Sequence, residues 1–154
     1  MKDRLVGATL GPFRVRSTLG SGGMGTVYLA SLEKDIEGMA RGQRVALKCI
    51  HRHLVDSSAG YVQRFLREAE VGRRIDHPNV VRVLGSGKEA VDGGDVYYIA
   101  MEHVEGETLG RILGITKCPV PEALCRHIGG EVARGLAAIH TAGIVHRDLK
   151  LDNV

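Results

Sequence analysis

Near the start of the chain, apolar and polar positions alternate. Phe13, Val15, Ser17 and Leu19 are separated by Arg14, Arg16 and Thr18, a period of two that predicts a strand with one face turned inward. After a glycine-rich stretch, Thr26-Val27-Tyr28-Leu29-Ala30 is β-branched and aromatic, with Val27 and Leu29 on one face, and predicts a second strand. The glycines between them therefore cap a hairpin. Residues 31–43 mix Glu, Lys, Asp, Gly and Arg without apolar periodicity and read as a solvent-exposed connection. A third strand follows over Arg44-Val45-Ala46-Leu47-Lys48-Cys49-Ile50. It places Ala46, Lys48 and Ile50 on one face and Val45, Leu47 and Cys49 on the other.

From Tyr61 to Ile75 the apolar spacing changes to three and four, through Val62, Phe65, Ala69, Gly72 and Ile75, which predicts a helix. His77-Pro78-Asn79 ends it, because proline disfavours helical geometry in the residue before it. Two more strands are expected at Val80 to Leu84 and Val96 to Met101, joined through the hairpin-like Val91-Asp92-Gly93-Gly94-Asp95. Thr108 suits the cap of a short helix through Leu113, and Pro121 the first turn of a longer one. The apolar stripe of that longer helix runs through Leu124, Ile128, Val132, Leu136 and Ile139 and ends near Gly143. The sequence contains no internal repeat and no low-complexity segment.

A chain of 154 residues, 44% hydrophobic and 25% charged, can bury a core and is not of disordered composition. Its net charge of +3 comes without a dense Lys/Arg run, so no nucleic-acid footprint is expected. Three cysteines, Cys49, Cys118 and Cys125, form no C-x-x-C pair, which argues against a disulfide framework and a thiolate zinc site. They read as reduced thiols of a cytosolic protein. The run Cys49-Ile50-His51-Arg52-His53 has the wrong spacing for zinc and reads as a polar strand end. No apolar stretch follows Met1-Lys2-Asp3-Arg4, and none approaches the run of about 20 apolar residues that a membrane span needs. This stretch is therefore expected to carry no membrane segment and to be cytoplasmic.

Candidate chemistry begins with Leu19-Gly20-Ser21-Gly22-Gly23-Met24-Gly25-Thr26-Val27, which contains G-x-G-x-x-G-x-V. Such a loop lets backbone N–H groups approach phosphates. The dinucleotide fingerprint shares this spacing, but it opens a helix and needs an acidic residue about 20 positions on. Here a strand follows the glycines, and Val45-Ala46-Leu47 occupies that later region. Lys48 projects from an apolar face, where an unpaired ammonium is costly, so it needs an anion. Glu68, at the edge of the helical stripe, can reach inward toward it, whereas Glu70 points away.

The last stretch, His146-Arg147-Asp148-Leu149-Lys150-Leu151-Asp152-Asn153, reads H-R-D-L-K-x-x-N and resembles the catalytic loop of protein kinases. The glycine hairpin, V-A-L-K ending in Lys48, and R-F-L-R-E-A containing Glu68 occur in the order of that family. They resemble the bacterial eukaryotic-like Ser/Thr kinases most closely, from about Phe13 onward. The implied fold is α+β and protein-kinase-like. A five-stranded antiparallel N-lobe with one regulatory helix would span about 13–101, a hinge 102–106, and the start of a helical C-lobe 107–154.

The resemblance also implies the site. Gly20 to Gly25, with Ser21, Gly22, Gly23 and Met24 between them, would cover the phosphates of ATP. Leu19, Thr26, Val27 and Ala46 would flank the nucleotide, with Met101 at the back of its pocket and the backbone of Glu102 and Val104 holding adenine. Lys48, paired with Glu68, would neutralise the phosphates; Asp148 would orient the substrate hydroxyl, with Lys150 beside the transferring phosphate. Asn153 would bind magnesium, or manganese in its place. Arg147 implies control by a phosphorylated activation loop, and Leu151 stands where the family usually has proline.

The implied activity is transfer of the γ-phosphoryl group of ATP to Ser or Thr hydroxyls of protein substrates. No D-F-G follows Asn153 within these 154 residues, so the chain is expected to be the first part of a longer kinase and inactive by itself. The long helix's stripe would then lack partners. The alternative is a naturally short, catalytically inactive module that binds nucleotide or a partner protein. Reading the gene past Val154 separates the two: D-F-G and A-P-E segments are expected, and an immediate stop codon would defeat the enzyme reading.

Overall fold

In the computed structural model, residues 4–36, 38–57, 59–91, 94–116 and 119–154 are described. The expectations for Met1 to Asp3, for Asp92 and Gly93 of the hairpin, and for Cys118 lie outside the described residues. The chain divides into two compact units, one of residues 1–73 with 82–103, the other of residues 74–81 with 104–154.

The first unit is built on an antiparallel sheet of six strands. These are β1 (Thr9–Leu10), β2 (Phe13–Ser21), β3 (Gly25–Leu32), β4 (Arg44–Ile50), β5 (Val83–Val91) and β6 (Gly94–Glu102), in the order β1-β2-β3-β4-β6-β5. Five strands were expected. The sixth, β1, has two residues and no alternation to betray it; it folds back on β2 through Gly11 and Pro12, with Leu10 opposite Phe13. Gly11 has φ +56°, which suits so tight a turn.

β4 runs from Arg44 to Ile50 as the alternation predicts, and its two faces enter two different cores. Val45, Leu47 and Cys49 join Leu10, Phe13, Val15, Tyr28 and Leu32 in the larger cluster. Ile50, on the opposite face, joins Phe65, Ala69 and Ile99 in the smaller one, with Met101 packed against it. Val27 and Leu29 share a face as expected. They are only half-buried there, because the face of β3 in the larger core carries Tyr28, Ala30 and Leu32.

β2 keeps its inward alternation only through Phe13 and Val15. Register shifts between Val15 and Ser17 and between Thr18 and Gly20 leave Ser17 and Leu19 exposed, as bulges unpair and bend an edge. The connection after β3 is less open than its composition suggests, since Ile36 and Met39 form an isolated bridge and pack on the larger core.

Two helices pack in this unit, not one: α1 (Arg52–Ser57) and α2 (Ala59–Gly72). Residues read as a polar strand end thus begin a helix. The leucine and valine of α1, Leu54 and Val55, turn toward the smaller core. α2 stops three residues before Ile75, at Gly72, where a Cβ would sit 2.8 Å from Cγ2 of Val83. Val80 and Val81 precede β5 rather than opening it. Asn79 N–H donates to His77 Nδ1 (3.1 Å) and Val80 N–H to the His77 carbonyl (3.0 Å), which closes a turn there.

The second unit holds α3 (Leu109–Thr116), α4 (Glu122–Thr141) and a 3₁₀ turn, Leu151–Asn153. Thr108 caps α3, its hydroxyl accepting from Arg111 N–H at 3.2 Å. Pro121 lies one residue before α4, and Gly143, with φ +78°, follows its end. Leu124 of the predicted stripe is 46% exposed, while Ile128, Val132, Leu136 and Ile139 are half-buried. Residues 74–81 approach α4 at Gly135, where a Cβ would meet the Asn79 carbonyl at 2.7 Å. Among the described residues, no helix is long and apolar enough to cross a membrane.

Leu47 is fully buried in the middle of β4. Leu47→Ala is expected to cost about 2–5 kcal/mol, read as a lower urea midpoint at unchanged slope; a change below about 0.5 kcal/mol would mean the larger core does not rest on this strand.

Candidate active site

In the first unit the glycine stretch forms the predicted hairpin between β2 and β3. Gly22 N–H donates to the Gly25 carbonyl at 2.9 Å, and the Ser21 and Thr26 hydroxyls bond one another at 3.1 Å. None of the four motif glycines has a positive φ. The steric demand falls on Gly25, where a Cβ would lie 2.1 Å from the Cys49 carbonyl of β4. At Gly20, Gly22 and Gly23 a Cβ would meet nothing within 4 Å. Their backbone therefore faces open space that a ligand can approach closely. Met24 at the tip is 67% exposed, and Leu19 is exposed behind it.

Val27 and Lys48 are cross-strand partners, as are Leu29 and Ala46, so these side chains share one sheet face. From that face Lys48 Nζ reaches Glu68 Oε1 of α2 at 3.3 Å, with the ring of Phe65 6.0 Å from the ammonium. Lys48 is 29% and Glu68 61% exposed, so the pair adds at most about 1 kcal/mol to stability. What it provides is position, since it aims a cation along the sheet face that continues into the glycine hairpin. Met101, opposite Ala46, packs against the smaller core. Glu102 N–H donates to the Arg82 carbonyl at 2.9 Å, so of its backbone groups only the carbonyl could address a ligand. In the second unit Val104 is exposed.

The second unit also holds the loop from His146 to Asn153. The Asp148 carboxylate accepts from Lys150 Nζ at 3.0 Å and from Asn153 Nδ2 at 3.1 Å, and Asn153 Nδ2 also donates to the Asp148 carbonyl at 2.7 Å. Lys150 first, and Asn153 after it, hold the Asp148 carboxyl below the usual carboxylate range, although it is exposed. With the amide nitrogen of Asn153 turned to Asp148, its Oδ1 is left as a hard oxygen donor, the kind that magnesium takes. The loop is tied down from α3: Leu109 N–H donates to the Val154 carbonyl at 2.7 Å, and Gly110 admits Asp152 Oδ1 into space its own Cβ would fill. Arg147 is the one described non-glycine residue with positive φ, at 63°.

Compared with known proteins, residues 13–154 match the protein kinase domain family. The chain belongs to that family. It is 44% identical over 144 residues to Serine/threonine-protein kinase pkn2 of Myxococcus xanthus, covering 94% of this chain and 16% of that protein. Serine/threonine-protein kinase PrkC of Bacillus subtilis is 33% identical over 144 residues, covering 94% of this chain and 20% of that one. Among solved structures, the PknI kinase domain of Mycobacterium tuberculosis superposes with a TM-score of 0.76 at 29% identity, over 97% of this chain and 55% of that one. Rad53 1-466, in complex with AMP-PNP, gives 0.74 at 30% identity, over 92% and 34%. The chain thus spans well under a third of the length of these curated kinases.

Within this kinase family member, two elements of the site were not foreseen. Gly110 carries no motif, and its need appears only once Asp152 is beside it. His51 was read as part of a strand end, yet its ring reaches the glycine hairpin, with Nε2 2.8 Å from the Gly22 carbonyl.

Because Lys150 and Asn153 favour the charged carboxylate, Asp148 stays ionised below the ordinary range, and the stabilisation disappears as pH falls through its lowered pKa. NMR titration is expected to place the Asp148 midpoint below that of a free aspartate, and Lys150→Met to move it up. An unmoved midpoint would show that the ion pair does not form in solution.

Proposed function

We propose that this chain carries the nucleotide and catalytic-loop residues of a Ser/Thr protein kinase, which transfers the γ-phosphoryl group of ATP to a Ser or Thr hydroxyl of a protein. The observation that carries the reading is the Asp148 carboxylate, ionised and bonded on one side to Lys150 and on the other to Asn153. Names of the curated relatives support Ser/Thr rather than Tyr, and so does Lys150 two residues after Asp148. A cytoplasmic location follows from the need for ATP.

The backbone of Gly20 to Gly25 approaches the ATP phosphates, and Lys48, held by Glu68, offsets their charge. The Glu102 carbonyl and Val104 backbone hold adenine, while Leu19, Val27, Ala46 and Met101 present apolar surface to it; Thr26, expected beside them, instead turns to the opposite face of β3, where it is buried and bonds Ser21. In the transfer the substrate hydroxyl oxygen forms a bond to the γ-phosphorus. The bond from that phosphorus to the β,γ-bridging oxygen breaks, ADP departs, and the hydroxyl proton passes to Asp148. A carboxyl held below its usual range is a weak base. Asp148 therefore orients the hydroxyl and takes its proton late, consistent with a reaction whose catalysis is mainly positioning and charge stabilisation. Lys150 stands beside the oxygens on which charge accumulates. Magnesium, held through Asn153 Oδ1, would neutralise phosphate charge. Arg147 is the residue a phosphorylated activation loop would address.

The protein as its gene encodes it is expected to phosphorylate a generic Ser/Thr substrate with ATP and magnesium. Asp148→Asn should lower kcat by about 10²- to 10⁴-fold, and Lys48→Met should lower kcat/KM for ATP. Full turnover with either substitution would refute the assigned roles.

A further inference from the structure

The backbone N–H and carbonyl of His51 and its ring Nε2 are all engaged at a junction. Its N–H donates to the Met24 carbonyl at 3.2 Å, and its carbonyl accepts from Leu54 N–H at 3.0 Å and Val55 N–H at 3.3 Å, opening α1. Its ring Nε2 lies 2.8 Å from the Gly22 carbonyl, and its ring stacks on that of His53 with centroids 5.5 Å apart and planes at 20°. Two successive sides of the glycine hairpin tip, at Gly22 and Met24, are thus fastened to one residue. That residue lies three positions beyond Lys48 on the same chain segment.

Resting on the kinase reading, we propose that His51 is the positioning residue of the glycine hairpin, holding its tip at a set distance from Lys48 before ATP arrives. Without the ring bond the tip residues 22–24 would be held by the Met24 rung and the Gly22–Gly25 bond, with the Ser21–Thr26 hydroxyl bond at its base. A Cβ at Gly20, Gly22 or Gly23 would meet nothing within 4 Å, so on that side no packing takes over. The ordering would then be completed at the expense of nucleotide binding, which is how loss of preorganisation lowers affinity. A carbonyl accepts only, so Nε2 is the donor. This donor is present in the neutral Nε2–H tautomer and in the imidazolium alike, and the tether does not depend on the ring's charge.

His51→Phe keeps the ring area and removes the donor; His51→Gln keeps a donor near the Nε2 position. In the full gene product, His51→Phe is expected to raise KM for ATP about three- to tenfold, the range of one neutral hydrogen bond. kcat should stay within about twofold, and His51→Gln should recover most of the loss. Hydrogen exchange of the peptide spanning residues 20–26, without nucleotide, should quicken in His51→Phe and return toward wild type in His51→Gln. Unchanged KM and exchange in His51→Phe would overturn the proposal. So would His51→Gln as impaired as His51→Phe, or a fall in thermal midpoint and kcat with KM for ATP unmoved. The exchange measurement needs no catalysis, so it tests the tether even if wild-type protein transfers no phosphate, in which case the kinase reading is what fails.

Discussion

The strict alternation of β4 is the constraint on which the first unit depends. The strand is bonded on both sides, to β3 and to β6, and cannot slip by one residue without exchanging its faces. A one-residue slip would drive Lys48 into the cluster of Leu10 and Val15 and expose Val45 and Leu47. The desolvation of an unpaired ammonium and the loss of buried aliphatic surface oppose that slip together. The register that satisfies the larger core is therefore the same register that presents Lys48 to Glu68.

The polar features of the first unit follow from that register. With Val27 opposite Lys48 and Gly25 opposite Ile50, the hairpin is delivered to the end of β4 where backbone meets backbone, and Gly25 is the one position with no room for a side chain. α2 brings Phe65 and Ala69 onto the smaller core and, one turn away from Phe65, Glu68 to the edge where Lys48 emerges. Packing of apolar residues thus places the charges, and the charges contribute little to holding the packing. In the second unit short-range polar bonds do the placing. Asn153, Lys150 and Asp148 lie within six residues of one another, and α3 reaches the loop through Leu109 and Gly110.

Local patterns were legible where one period dominated. β4 showed its bounds because seven residues alternate around a lysine, and α4 showed its stripe over about four turns. Motif residues were legible because their spacing is itself local. Features set by distant parts of the chain were not. β1 is two residues long, and α1 is too short for a period to emerge. Val80 and Val81 have strand propensity, but the turn bonds around His77 override it. The bulges in β2 arise from pairing with β3, which no reading of residues 13–21 alone contains. His51 escaped notice for the same reason, since its partner Gly22 is 29 positions away.

Arg147 adds an energetic consequence for the loop. A left-handed conformation costs an L-residue with a Cβ roughly 1 kcal/mol, a cost that glycine avoids and asparagine reduces. Bonds that fix the segment following it, from Asn153 to Asp148 and from Leu109 to Val154, hold the backbone in this form against that preference. The loop is therefore a small store of strain, and local melting would release some of it. Glycine at 147 would steady the backbone while taking away the guanidinium next to Asp148. Under the role proposed for Arg147, relief of the backbone and retention of the guanidinium are set in opposition at a single residue.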